Sequence, residues 1–169
     1  KENLIDQIER KKIDNSSKFF SLNKKIVGES SNSKMIKIIN YLKKSKSDFI
    51  FVSAPENVAW VLNIRGSDVP NSPIPNCRLL ISKTKKIFLI SKIKKCRELF
   101  KKKIINFNEF IDEEQFETKI LSLKGKNFII DRNSCSIFFE NIFKKKFKII
   151  KNEDPTYFFK SIKNKIEIN

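Results

Sequence analysis

Met35, Ile38, Ile39 and Leu42 recur at helical spacing, with Lys37, Asn40, Lys43 and Lys44 opposite and a Ser30-Ser31-Asn32-Ser33 cluster ahead to cap the first turn. That pattern predicts an amphipathic helix. Residues 49–52 form a short, β-rich apolar run of the kind that makes a buried strand, and Pro55 stands where the first turn of a helix takes a proline. The helix is expected to end near Asn63. Residues 79–81 and 87–90 read as two strands joined by the polar turn 82–86. Ser91 is expected to cap a helix that turns Ile93, Cys96 and Phe100 inward. The theme continues with 104–105 as a strand, Asp112 capping a helix that carries Phe116, Ile120 and Leu123, and 128–130 as a strand. Asn133 or Ser134 starts the next helix, with Cys135, Phe138 and Ile142 on one stripe. A strand at 147–150 follows, and Asp154-Pro155 supplies a cap and a first-turn proline for a helix through Ile162.

Strands alternating with helices predict an α/β fold, and the antiparallel pair around the 83–86 turn makes its sheet mixed, with helices on both faces. No fixed-period repeat suggests a solenoid. Residues 1–27 mix apolar and polar positions around the basic step Arg10-Lys11-Lys12 and the polar Asn15-Ser16-Ser17, and read as a lead-in that packs loosely. The expected division is therefore a lead-in at 1–27, a domain at 28–163 and the start of a linker at 164–169.

Composition narrows the function more by what it removes than by what it supplies. The chain of 169 residues is long enough for one real core, and no apolar run approaches the roughly 20 residues of a membrane span. With 36 Lys and Arg against 19 Asp and Glu, the formal charge is +17, which invites a nucleic-acid reading through phosphate contacts. The lysines are scattered, however, at 43–44, 94–95, 101–103 and 144–146, with no aromatic stacking platform among them, so solvated faces are the preferred reading and a basic nucleic-acid-binding α/β module the alternative. Met35 is the only methionine, and the opening Lys1-Glu2-Asn3 is neither a signal peptide nor a transit sequence, so the sequence is expected to be a piece of a longer protein. Cys77, Cys96 and Cys135 match neither a disulfide scaffold nor metal-ligand spacing, which points to a reducing cytoplasm.

There is no histidine, so the commonest general base and metal ligand are both missing, and Ser-His-Asp, Cys-His and His-Glu-x-x-His arrangements cannot be built. Only three glycines occur, too few for a dinucleotide fingerprint or a phosphate loop. Asp131, at a strand end, reads as a turn or capping residue rather than a metal ligand. Cys96 and Cys135 read as small buried hydrophobes, and Cys77, beside the proline loop, as a structural thiol open to exposure. No catalytic, cofactor-binding or metal-binding residue is therefore expected in this chain. There remains the stretch Ala59-Trp60-Val61-Leu62-Asn63-Ile64-Arg65-Gly66-Ser67-Asp68-Val69-Pro70, where glycine frees the backbone and Pro70, Pro73 and Pro75 stiffen the loop beyond it. Trp60 serves there either as a packing anchor or as part of a contact surface. Arg65 and Asp68 either pair across Gly66 or present a guanidinium and a carboxylate to another domain or subunit. Trp60, Arg65 and Asp68 are the candidate interface or groove-lining residues.

This stretch resembles the creatinase-like second domain of long, three-domain Xaa-Pro aminopeptidases (the aminopeptidase P family). Gly28-Glu29-Ser30 with Lys34, and Asp154-Pro155 with Lys160, Ile162-Lys163-Asn164 and Glu167, extend the resemblance to both ends of the domain. The Arg-Gly-Ser-Asp core is its specific part. The resemblance implies a creatinase/prolidase N-terminal-domain-like, ribonuclease-H-like fold and a non-catalytic middle domain. Its parent would remove the residue preceding proline from a peptide N-terminus, using two divalent ions, typically manganese, held in a separate catalytic domain. As partners it implies the catalytic and N-terminal domains of the same chain, a proline-containing peptide and a second copy in a homodimer; the apolar runs and the scatter of the lysines add that no membrane is expected and that nucleic acid is the disfavoured partner.

Overall fold

Strands buried on both faces need apolar side chains at every position, and the apolar runs of this chain meet that need. The computed structural model describes residues 17–168. Its strands are β1 (Phe20–Ser21), β2 (Phe49–Val52), β3 (Ile64–Arg65), β4 (Arg78–Ser82), β5 (Ile87–Ser91), β6 (Phe110–Asp112), β7 (Asn127–Ile130) and β8 (Lys148–Lys151). Between them lie α1 (Lys24–Val27), α2 (Ser31–Lys44), α3 (Pro55–Leu62), α4 (Ile93–Lys101), α5 (Phe116–Ser122), α6 (Ile137–Lys144), α7 (Pro155–Ser161) and α8 (Lys165–Ile168). The main sheet has the order β6-β5-β4-β2-β7-β8, and β1 pairs with β3 in a separate ribbon. β4 is antiparallel to both β2 and β5, while β2–β7, β5–β6 and β7–β8 are parallel, so the sheet is mixed as the 83–86 turn predicts.

Because successive strand residues point to opposite faces, each strand feeds two cores. Ile50, Val52, Leu79, Ile81, Leu89 and Ile129 meet Ile38 and Leu42 of α2, Val58 and Val61 of α3, and Cys96 and Leu99 of α4. Phe49, Phe51, Leu80, Phe128 and Ile130 meet Phe116 and Ile120 of α5 and Ile142 and Phe143 of α6 on the other side. Helices therefore cover both faces.

The expected elements shift in three places. Residues 104–105 are not a strand: Lys103 takes φ 52°, and the Ile104 and Lys103 amides donate to Leu99 O and Phe100 O. The apolar pair thus follows a Schellman-type helix end. Ser91 is not the cap of α4 but the last residue of β5, opposite Asp112. The Asp112 carboxylate accepts the Ile93 amide instead, and Ile93 is exposed, not inward. Asn133 and Ser134 do not open a helix; Asp131 holds the Asn133 amide at 2.9 Å and the Ser134 hydroxyl at 3.1 Å in a turn, and α6 begins three residues later at Ile137. Phe138, expected on its buried stripe, is exposed, and Cys135 is half-buried. The first part of the lead-in, 1–16, lies outside the described residues. Its described part is packed: Phe19 is fully buried, and Phe20–Ser21 pair with Ile64–Arg65.

Candidate interaction groove at the Trp60 loop

Pro55 at the first turn starts α3, and Asn63 stops it in the left-handed conformation, φ 55° and ψ 38°. Asparagine tolerates that backbone, and its amide fixes the neighbourhood. Nδ2 donates to Glu29 O at 2.8 Å, and Oδ1 accepts from Lys34 Nζ at 2.7 Å. Lys34, one helical turn before Ile38 on the inward face of α2, also donates to Trp60 O at 2.9 Å and sits 4.2 Å from the Trp60 ring centroid. It is 2% exposed. Burial pulls the pKa of its ammonium down to about 8, against the opposing pull of Glu29. The indole is thus held by a cation–π contact on α2 as well as by its own helix.

Arg65 follows in β3, paired with Phe20. Its Nη1 donates to Ile64 O at 2.8 Å and Ala59 O at 3.3 Å, and burial lowers its pKa below the ordinary guanidinium value. Arg65 does not pair with Asp68. The Asp68 side chain is 4% exposed and ion-paired with Lys95 of α4; it also accepts the Ser17 hydroxyl, and its Oδ2 takes the Asn76 amide at 2.7 Å. Asp68 pins the proline loop to the body of the domain. Gly66 is there for space, not for backbone freedom: a Cβ would lie 2.9 Å from the Phe19 ring and from the Pro75 backbone.

Trp60 and Arg65 consequently line one groove of about 200 Å3 together with Glu56, Pro73, Ile74 and Lys160, and Asp68 does not reach it. Lys160, brought from α7, donates to the buried Asn57 Oδ1 at 2.8 Å, while Asn57 Nδ2 donates to Asp154 at 2.8 Å. Sequence reasoning did not place Glu56 or Lys160 in the groove, or Lys34 beneath its indole. Lys34 and Lys160 left a signal, both standing in the flanking segments of the family resemblance, and Lys34 also as a lysine four residues before Ile38 on an otherwise apolar stripe.

The other candidates resolve as structure. Cys77 and Cys96 are buried, and burial pushes Cys96 and Cys135 up to about 12 and Cys77 higher still, so the thiolate a nucleophile needs is suppressed. Cys77, read as open to exposure, is enclosed. Among the described residues no three His, Cys, Asp or Glu side chains converge to hold a metal, and Asp131 and Asp154 already carry protein donors. The lysines at 43–44, 101–102 and 144–145 sit at the carboxyl ends of α2, α4 and α6, where cations complement the helix dipole. No described helix is long and apolar enough to cross a membrane.

The chain matches the creatinase/prolidase N-terminal domain over residues 9–167. It belongs to that family. The resemblance read from residues 59–70 is borne out at this level, and so is the fold it implied. Among curated relatives of this family domain, Xaa-Pro aminopeptidase 1 of Dictyostelium discoideum is 36% identical over 80 residues, which cover 43% of this chain and 13% of that protein. Aminopeptidase P2 of Arabidopsis thaliana is 39% identical over 49 residues, 29% of this chain and 7% of that one. The match therefore spans a small part of each relative. The X-prolyl aminopeptidase of Caenorhabditis elegans, described as a cytosolic enzyme with a di-nuclear active site, superposes with a TM-score of 0.81 over 99% of this chain and 28% of its own, at 19% identity. The prolidase of Pyrococcus horikoshii superposes with a TM-score of 0.54 over 81% of this chain and 37% of its own, at 22% identity. At such identities the likeness is one of fold.

Lys34 makes stability depend on pH. Its folded value, about 8, lies below the ordinary 10.5, so the unfolded chain binds more protons between those limits and stability rises with pH across them. The contribution is complete above 10.5 and is lost as pH falls through 8. Urea midpoints of the native chain, taken relative to Lys34→Met, are expected to rise from pH 8 to pH 10; a flat difference would mean that Lys34 is not desolvated.

Proposed function

We propose that this chain is the non-catalytic middle domain of a cytoplasmic, metal-dependent Xaa-Pro aminopeptidase, serving as scaffold, groove wall and dimer contact. The observation that carries the reading is the placement of Trp60 and Arg65 on one partly open groove, within a fold that the C. elegans enzyme matches along 99% of this chain. The resemblance would leave the chemistry to the rest of the parent, where two divalent ions, typically manganese, would supply Lewis acidity and an activated water. No donor set among the described residues fits those ions. Asp68 supports the groove from behind through Lys95, and Trp60 and Arg65 face the catalytic domain or the second copy in the dimer.

Charge reversal tests this. In the full-length enzyme Arg65→Glu is expected to lower kcat/KM on a proline-containing peptide, or the dimer association constant, by roughly tenfold, equivalent to about 1.4 kcal/mol. Arg65→Gln controls for the lost hydrogen bonds to Ala59 O and Ile64 O, and circular dichroism of the variant chain checks its fold. Unchanged activity and unchanged dimerisation would refute the contact role. The basic nucleic-acid module is separated by filter binding at two salt concentrations: it requires steeply salt-dependent retention of DNA or RNA, and the aminopeptidase domain requires none.

A further inference from the structure

Several lysines elsewhere in the domain, half-buried or exposed, are answered by a carboxylate. Lys95 pairs with Asp68 and Lys37 with Glu29, and Lys83 and Lys151 are matched by Asp48 and Glu140. The groove beside Trp60 breaks this pattern. Lys34, Arg65 and Lys160 gather there, the last two lining the groove and the first lying beneath the indole, and all three hydrogen-bond neutral oxygens: Trp60 O and Asn63 Oδ1, Ala59 O and Ile64 O, and Asn57 Oδ1. Among the described residues none of the three is ion-paired. Neutral acceptors engage some of the donors without forming an ion pair, Glu29 acting on Lys34 only through space, and clustered cations with low-dielectric walls focus a positive potential.

Arg65 has unused capacity for an anion. Only Nη1 is engaged, and Nε and Nη2 have no partner among the described residues; that free edge of the guanidinium fork matches a carboxylate bidentately. The one carboxylate lining the groove, Glu56, lies 3.5 Å from the Tyr157 hydroxyl and pairs with neither cation. The remaining wall is apolar and rigid, made by the indole, Pro73 and Ile74. At about 200 Å3 the space falls below the roughly 300–1,000 Å3 of small-molecule pockets but admits side chains of a docking segment.

We propose that this groove docks an acidic polypeptide segment, with an Asp or Glu carboxylate between Arg65 and Lys160 and the neighbouring apolar side chain against Trp60, Pro73 and Ile74. The proposal deepens the reading of the groove as a contact face and rests on it. An inorganic anion would use the cations but not the apolar wall, so a carboxylate attached to a peptide is the complementary ligand.

Trp60 is the only tryptophan in the chain, so its emission reports this groove directly. The probes are acetyl-Leu-Glu-Leu-amide, its Gln counterpart and inorganic phosphate, each titrated to millimolar concentration into the 169-residue chain. The Glu peptide is expected to change Trp60 emission saturably, and the Gln peptide to bind roughly tenfold more weakly, the size of a lost charge-assisted contact. Arg65→Gln and Lys160→Gln should each weaken the Glu peptide severalfold, Lys160→Arg should restore binding, and Glu56→Gln should strengthen it. Circular dichroism confirms that each variant is folded. Equal binding of the Glu and Gln peptides would overturn acid recognition while leaving a contact face; phosphate matching the Glu peptide, or no saturable response to either peptide, would overturn the docking itself. None of these readouts depends on peptidase activity, so they fail separately from the Arg65→Glu test of the parent enzyme.

Discussion

Asp68→Ala is expected to lower the unfolding free energy by about 3–5 kcal/mol, the cost of leaving one member of a buried ion pair uncompensated. Lys95, with 16% side-chain exposure, would be left without its carboxylate, and the Asn76 amide and Ser17 hydroxyl would lose their acceptor. Asp68→Asn keeps an acceptor oxygen at the same place, so its loss should be smaller. Adding Lys95→Met to Asp68→Ala removes the stranded charge and should recover a large part of the difference, because an apolar replacement of a buried pair is often nearly neutral. Urea unfolding of the four chains reads all three expectations. A single Asp68→Ala variant within about 0.5 kcal/mol of the parent would mean that the pair is a surface pair of little worth. The functional consequence is local: the loop from Arg65 to Asn76 carries one wall of the groove, and without its pin the placement of Pro73 and Ile74 opposite Trp60 is lost.

Elements whose signals are local were legible in the sequence. The Ser30 cap, the Pro55 and Asp154-Pro155 helix starts and the strand of residues 49–52 all depend on neighbours within a turn or on continuous burial, and the structure has each of them. Where a residue's partner lies far along the chain, local chemistry misled. Ser91 looks like a cap but is drawn into β5 by pairing with Asp112, whose carboxylate then caps α4 across the sheet edge. The groove was half legible for the same reason. Trp60 and Arg65 belong to one short stretch and stand out together, whereas Lys160 reaches Asn57 across 103 residues of sequence and Lys95 reaches Asp68 across 27. The Arg65–Asp68 spacing suggests a pair that the fold does not make, because burial against α4 offers Asp68 a lysine instead. Family resemblance marks the loop as special, and only packing shows that its carboxylate points in while its guanidinium lines the groove.

The same limit governs the aromatic core, where 16 phenylalanines in the sequence give no sign of which rings meet. Phe143 is fully buried and stacks on Phe128 at 4.2 Å, with Phe51 at 5.0 Å and Phe116 at 5.8 Å. It therefore joins α6 to β2, β7 and α5 at once. Phe143→Ala removes these ring contacts together with the buried area and opens a cavity that a sheet and two helices cannot easily collapse, so a loss of about 3–5 kcal/mol is expected. Against a total of roughly 5–15 kcal/mol for a natural domain, that threatens the fold outright, and loss of far-UV ellipticity at room temperature is an acceptable outcome. Phe143→Leu keeps most of the volume and should fall between the alanine variant and the parent. Phe138, on the same helix, is 64% exposed and touches Phe139 at 5.3 Å, so Phe138→Ala should stay within about 0.5 kcal/mol, as surface changes do. The two positions differ by five residues in one helix and by the whole of the effect. Equal urea midpoints for the two alanine variants would show that the second face of the sheet is not the stabilising core, and with it would go the packing that fixes β2 and the start of α3 beneath Trp60.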